Sequence, residues 1–502
     1  MGYSEVLCRI CGVSFNIGRV RRPGDPRSEG WALTGDHGNG RGLVDHNYGD
    51  CDDDLCQVIR RAKNDQEDSI GDESRGKEET WIAASAVEMH YGDQRENTPY
   101  EYEHVAGPNC RNRNGYNGHL VTAQEMRGCN ILQCLMRKNT SWVRQPDDLD
   151  FEVESECFLS GISEHMPSRD IDFPIMFPPR HGLDDTVNAD DIIWDEPSEV
   201  GMPFHPTCLD IFMRVSRLRL GKVDINGLRA WFELEGDYDD VHKFPHDPNI
   251  TASRDQSWMH LAGLEYLVAN PLFVPRLQAV VDSAIVDGPA LNPDTGTFIV
   301  PQFFSRHRDT VLEDSKDVLE MLPAELVLEI TTYLGSNDIA NIRLASRAFR
   351  QLPVSIWRRL LREDMPWLWE LERNESPYSY ATFDTAYMKR GSSVLEEIMI
   401  DTGTSLEALE ERMLALRGDR NATAQFIMEN LSHPLMEIYF TPLRGLVRDV
   451  RSAKINWYTL YTNITKSWAD LKGLKNRRRI WEAVNEIITR IEGYRATGKL
   501  VN

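Results

Sequence analysis

Residues 319–361 read LEMLPAELVLEITTYLGSNDIANIRLASRAFRQLPVSIWRRLL, with more apolar side chains than so short a helical segment can bury by itself. Leu322, Leu326, Ile330 and Leu334 recur at the four-residue step of one helix stripe, and Val327 and Leu328 widen that stripe. Gly335-Ser336-Asn337 follows, its glycine suited to ending the first helix and its polar residues to capping a second. Ile339, Ile342, Leu344 and Ala345 carry the second helix; after the break at Pro353, Ile356, Trp357, Leu360 and Leu361 begin a third. A unit of about 40 residues sits at the limit below which a lone hydrophobic core is rarely sufficient, so a docking partner is expected.

Leu322-Pro323, Glu325-Leu326, Ile330, Leu334, Asp338, Leu344, Ser346-Arg347, Phe349 and Trp357 occur in the order and spacing of a known motif, and the segment resembles the F-box. The resemblance implies a module that binds a Skp-family adaptor and, through it, the cullin of a ubiquitin ligase. It implies partner contacts at Leu322, Pro323, Glu325, Leu326, Ile330, Leu334 and Trp357, with the apolar ones among them buried by that partner or by the unit's own core. Helix periodicity alone fits a second reading equally, three core helices packed inside a larger domain and closed to any adaptor.

Working outward, the chain of 502 residues is long enough for two to four domains, and its 41% hydrophobic and 27% charged residues suit a mostly folded globular protein. A formal charge of −23, from 56 Lys and Arg against 79 Asp and Glu, opposes general binding to phosphate backbones. Nucleic acid is therefore not expected as a partner. No apolar run approaches the roughly 18 residues that span a bilayer, and MGYSEVLCRICG lacks the basic start and apolar core of a secretory signal. The expectation is an intracellular protein, cytoplasmic and/or nuclear, without a membrane partner.

The expected fold class is α+β, predominantly α, in four parts. Residues 1–204 form a Cys- and Gly-rich irregular region with insertions, including the polar stretch 64–79. Residues 205–310 are helical and pack on it: Leu209, Ile211-Phe212, Val215 and Leu218 keep helix spacing up to Gly221, and Trp258, Leu261, Leu264 and Leu267-Val268 form a further helix face. Pro289, Pro293 and Pro301 mark an extended connection into the F-box-like unit at 318–362. Residues 363–502 form a helical C-terminal domain, with a capping box at Thr404-x-x-Glu407 and apolar faces through Trp457, Leu460, Ile464 and through Trp481, Val484, Ile488.

Cys8-Arg9-Ile10-Cys11-Gly12 has the two-residue gap of a zinc knuckle, and its glycine suits the positive φ such a turn needs. A structural zinc requires four ligands, and His205-Pro206-Thr207-Cys208 offers the same gap at the start of a helix, where the dipole favours a thiolate. Loop-closure cost grows only logarithmically, so the long separation does not exclude a site of Cys8, Cys11, His205 and Cys208. Cys51 with Cys56, Cys129 with Cys134, and His37, His46 and His181 compete for the same role, and plain burial of the thiols is the remaining reading. A site closed by protein ligands is structural, because hydrolytic zinc keeps a position open for water. A redox pair is disfavoured by the missing strand-then-helix context.

Other signals point to no chemistry. Asp50–Asp54 lacks the glycine and distal glutamate of a calcium loop, Gly38–Gly42 lacks the Lys-Ser/Thr end of a phosphate loop, and no hydrolase, metalloprotease, kinase or deaminase signature occurs. Lys472–Arg479, KGLKNRRR, suits nuclear import, an acidic partner or a solvated helix start, although its charge is adverse at a helix N-terminus and calls for acidic neighbours. Taken whole, the chain resembles fungal F-box proteins with an N-terminal Cys-x-x-Cys region, a His-Pro-x-Cys helix start, a central F-box and a helical C-terminus. That resemblance implies a non-enzymatic receptor that presents an unknown protein substrate through its flanking domains, with a helical interaction scaffold as the alternative.

Overall fold

The computed structural model describes residues 6–25, 29–30, 53–62, 80–83, 100–111, 115–138, 140, 142–144, 148–160, 176–177, 187–188, 201–235, 244–285, 318–349, 352, 354–371 and 455–500. The stretch 64–79, the prolines 289, 293 and 301, the Thr404 capping box, the Gly38–Gly42 loop and Cys51, His37, His46 and His181 lie outside them. The fold is α+β and mainly helical, with small sheets. The strands are β1 (Arg19–Val20), β2 (Gln57–Ala62), β3 (Thr80–Ala83), β4 (Tyr100–Val105), β5 (Tyr116–Asn117), β6 (Gln133–Arg137), β7 (Cys157–Leu159), β8 (Met176–Phe177), β9 (Val187–Asn188) and β10 (Met202–Phe204). The α-helices are α1 (Ala123–Met126), α2 (Asp150–Glu154), α3 (Pro206–Leu220), α4 (Ile225–Glu235), α5 (Pro248–Asp255), α6 (Leu277–Asp282), α7 (Ala324–Thr332), α8 (Ser336–Ala345), α9 (Val354–Asp364), α10 (Trp457–Lys466) and α11 (Lys472–Ala496). These described residues fall into two compact units, one drawn from Met1–Phe273 and Arg479–Asn502, the other from Val274–Ser379 and Arg444–Arg478.

In the first unit, β10, β6 and β7 form an antiparallel sheet and β3, β2 and β4 another, in those orders. The chain leaves β10 directly into α3, where Pro206 at the first helical position has the preset φ a helix start needs. Gly221 ends α3 in the left-handed region at φ 72°, its N–H bonded to the Arg217 carbonyl. Every residue of α3 from Pro206 to Ser216 is buried, so this helix is a central pillar rather than an amphipathic cover. Ile225, Leu228, Trp231 and Phe232 line the buried side of α4 at the expected three- and four-residue steps. The later turns of α11 belong to the same unit: Ile480, Val484, Ile487, Ile488 and Ile491 are almost fully buried. Ion pairs of Arg219 with Glu492, Arg490 with Glu235 and Arg495 with Asp224 fix α11 against α3 and α4.

The continuous helix face expected from Trp258 to Val268 is not formed. Helix α5 stops at Asp255, Ser257 and Trp258 take φ of 52° and 58°, Gly263 takes 89°, and only a short 3-10 turn at Glu265–Val268 follows. Trp258 is fully buried, and that anchoring favours a left-handed backbone over the helix its spacing suggests.

The second unit holds α7, α8 and α9 around Val327, Ile339, Phe349, Leu352, Ile356, Trp357 and Leu360. Gly335 does not end α7 in a left-handed turn; it is the N-cap of α8, extended at φ −75°, and its carbonyl accepts from Ile339 N–H. The Thr331 carbonyl in the last turn of α7 and the Leu334 carbonyl just beyond it accept from the Arg359 guanidinium of α9. Helix α10 lies on α9 and α6, and its N-cap Asn456 accepts from Thr459 N–H. The basic run is not a solvated helix start. Arg477 is fully buried, pairs with Glu370 at 2.7 Å and lies 3.9 Å over the Trp369 ring, while Arg479 in the other unit is buried and donates to the Cys11 carbonyl at 2.6 Å.

Candidate functional site

The N-terminal turn is a tight knuckle. Cys8 N–H bonds to the Val13 carbonyl at 2.9 Å and Gly12 N–H to the Cys8 carbonyl at 2.8 Å. Gly12 sits at φ 77°, and a Cβ there would meet the His246 ring at 3.1 Å, so conformation and space both ask for glycine. Arg9 N–H donates to the Pro203 carbonyl, which ties the knuckle to β10 one step before α3 begins. The fold therefore brings Cys8, Cys11, His205 and Cys208 together: their donor atoms all lie within 4.8 Å of one another and all four residues are buried. Neighbouring ligands of a tetrahedral metal at roughly 2.3 Å are themselves about 3.5–3.8 Å apart, and the 3.5 Å from Cys11 Sγ to His205 Nδ1 fits that spacing.

The surroundings suit such a centre. His205 Nε2 is 2.9 Å from the Cys129 carbonyl, which fixes a proton on Nε2 and turns Nδ1 toward the thiols. The N–H groups of Cys11 and His205 point at Cys8 Sγ, at 3.5 and 3.4 Å, and hold that sulfur in place. Burial raises the Cys11 thiol, but hydrogen bonds from Cys208 and Cys8 and the charge of His205 outweigh burial and hold it well below its ordinary range. Burial lowers His205, yet its interactions with the Cys8 and Cys11 sulfurs outweigh that and lift it to about 10. Cys208 departs from the helix-dipole expectation: burial and the neighbouring Cys11 and Cys8 sulfurs push it up. The four groups thus share charge at close quarters and could hold a metal ion.

Cys129 and Cys134 join no donor cluster among the described residues; burial pushes Cys129 to about 12, and Cys129 serves the centre through its backbone carbonyl instead. Cys56 does join one, with His104 and Cys110, two residues that sequence reasoning missed. The only local signal for them is Gly107-Pro108-Asn109 turning the chain between a strand-borne histidine and a cysteine.

In the second unit, Leu322, Ile330 and Leu334 are half-buried against the helix core, and Trp357 is 7% exposed within it. Trp357 packs against Tyr458 of α10 at 4.7 Å between ring centroids and under the Arg343 guanidinium. The helix turns its Val327 and Thr331 line fully inward, so Leu326, one residue away, stays 49% exposed. Pro323 is exposed as the N-cap of α7, and exposed Glu325 in the first turn complements the helix dipole. Met321, Tyr333 and Leu344 are 80% exposed or more, although the first and last are apolar.

Residues 319–363 match the family described as F-box-like, so the chain carries an F-box-like domain. Over 41 residues the chain is 54% identical to ATP-dependent RNA helicase mss116, mitochondrial, of Aspergillus oryzae; the match covers 8% of this chain and 6% of that protein's length. No solved structure matches the chain. No helix among the described residues is long and apolar enough to cross a membrane.

Proposed function

We propose that this chain is the substrate receptor of a Skp-cullin-F-box ubiquitin ligase, docking a Skp-family adaptor on its F-box-like domain and presenting an unknown protein substrate through the rest of the chain. The carrying observation is that Met321, Leu326, Tyr333 and Leu344 of that domain stand exposed while its core, closed by Trp457 and Tyr461 of α10, is buried. Exposed apolar anchors beside a finished core are what a helix-docking partner uses for affinity. The chain performs no chemistry itself; ubiquitin transfer belongs to other subunits. Cys8, Cys11, His205 and Cys208 bind one zinc as a structural ion, since four protein ligands leave no position for substrate or water.

A helical scaffold with these helices turned inward is the second reading, and the burial of Trp357 under α10 favours it. Co-purification of the full chain with a Skp-family adaptor decides between them. Leu326→Glu with Leu344→Glu leaves the core untouched and should weaken capture at least tenfold, as should Leu322→Ala with Pro323→Ala. Wild-type chain that fails to capture the adaptor would leave the scaffold reading in place.

A further inference from the structure

We propose that Cys56, His104 and Cys110 form a second site for a zinc-like divalent ion, built from residues other than the four-donor centre. Their three donor atoms lie within 4.8 Å of one another, and the side chains are 1%, 1% and 4% exposed. Cys110 Sγ lies 3.3 Å from His104 Nε2. Two soft sulfurs and an imidazole are a three-donor set that zinc takes with a water in the fourth position, and two thiolates would cancel the charge of a divalent ion in a buried place where net charge is costly.

The backbone holds the three groups for the purpose. His104 is on β4 opposite Val58 of β2, and Cys56 immediately precedes β2, so the antiparallel register places the imidazole beside the first sulfur. Each cysteine ends a tight turn: Cys56 N–H bonds to the Asp53 carbonyl at 2.9 Å and Cys110 N–H to the Gly107 carbonyl at 3.1 Å. Gly107 N–H points at Cys56 Sγ at 3.2 Å, the same N–H to sulfur contact that Cys8 receives in the first centre. The two turns are stitched together by Asp53, whose carboxylate accepts from Leu55 and Asn109 N–H. A Cβ on Gly107 would meet Asp53 Oδ2 at 2.4 Å and the Leu55 backbone at 2.9 Å, so this approach depends on glycine. Asn117 donates to the Gly107 and Cys110 carbonyls and clamps the second turn from behind. Plain packing of two thiols would need neither an imidazole within reach of both nor this preset geometry.

Metal content of the full chain, purified without chelator and measured by mass spectrometry of the elements, tests the site independently of adaptor binding. Two zinc ions per chain are expected; Cys56→Ser with Cys110→Ser should hold one, and Cys8→Ser with Cys11→Ser should hold the other. Titrating metal-stripped wild-type chain with Co(II) guards against a variant that does not fold. Saturation of the thiolate-to-cobalt absorption at two equivalents is expected, with about two-fifths of its intensity from the Cys56 and Cys110 site, since five thiolates take part in all. Saturation at one equivalent that is kept when Cys56 and Cys110 are both changed to Ser, or a folded Cys56/Cys110 variant that keeps the wild-type content, overturns the proposal. Loss of the first centre alone would leave the Cys56 site's equivalent in place.

Discussion

Arg19 is fully buried at the start of β1, and its charge is met by Asp25 at 2.8 Å while its Nε donates to the Val121 carbonyl. Burial would raise the Asp25 carboxyl, but hydrogen bonds from Arg19 and Arg22 outweigh it and hold it below the ordinary 3.8. Removing one partner of a buried pair leaves the other charge uncompensated, so Asp25→Asn should cost about 3 kcal/mol at neutral pH, read from denaturant unfolding. A carboxyl whose folded value is depressed adds stability above its unfolded value and loses it as pH falls through the folded one. Below about pH 4 the wild type should therefore lose stability more steeply than Asp25→Asn, and parallel pH profiles would refute the pairing. At this scale the sequence was partly readable. The Cys8 and His205 spacings reported donor pairs because knuckles and helix starts are local, whereas the Cys129 carbonyl that orients His205 carries no residue signature at all.

Helix contacts make their own demands. Gly227 lies where α4 meets α11: an added Cβ would come within 2.2 Å of Asp224 Oδ2 and 2.9 Å of Ile491 Cγ2. Asp224 has little room to yield, since it caps Gly227 N–H and pairs with Arg495 at 2.7 Å. Gly227→Ala should therefore destabilise the chain by about 1–3 kcal/mol, and an unchanged melting temperature would contradict the close approach. In the F-box-like domain Trp357→Ala should cost about 3–5 kcal/mol, because α9 and α10 share that ring, while Leu344→Ala should change folding by less than about 0.5 kcal/mol. Urea titrations of the two variants separate core from docking surface. The helices themselves were legible from period and punctuation, as at Pro206 and Gly221. Which stripe faces inward was not, since Val327 and Thr331 won over the Leu326 line only through packing against α8 and α9. The His104 and Cys110 cluster was hidden for a like reason, its members being joined by β2–β4 register rather than by spacing.

On the scale of the whole molecule, the donors of the proposed zinc centre all belong to one of the two units. A chelator should accordingly strip hydrogen-exchange protection from peptides covering Cys8–Val13 and Pro206–Leu220 and spare those covering Ala324–Asp364. Equal loss across both sets would show that the ion does not act where its ligands lie. Charge and composition outlined the chain's class, but the basic run at Lys472–Arg479 misled, because a sequence cannot show that Glu370 and Trp369 await Arg477.

The unit that holds Cys8 also draws in the chain from Arg479 onward, with Arg479 bonded to the Cys11 carbonyl and Ile480 to Ile491 filling its interior. Cys8 and Arg479 are thus synthesised far apart in time, and a nascent polypeptide must keep the knuckle waiting until Arg479 and the helix turns after it have emerged. A stop codon shortly before Arg479 would spare every cysteine and histidine named above yet leave the amino-terminal half without its closing wall, exposed to chaperones and proteases.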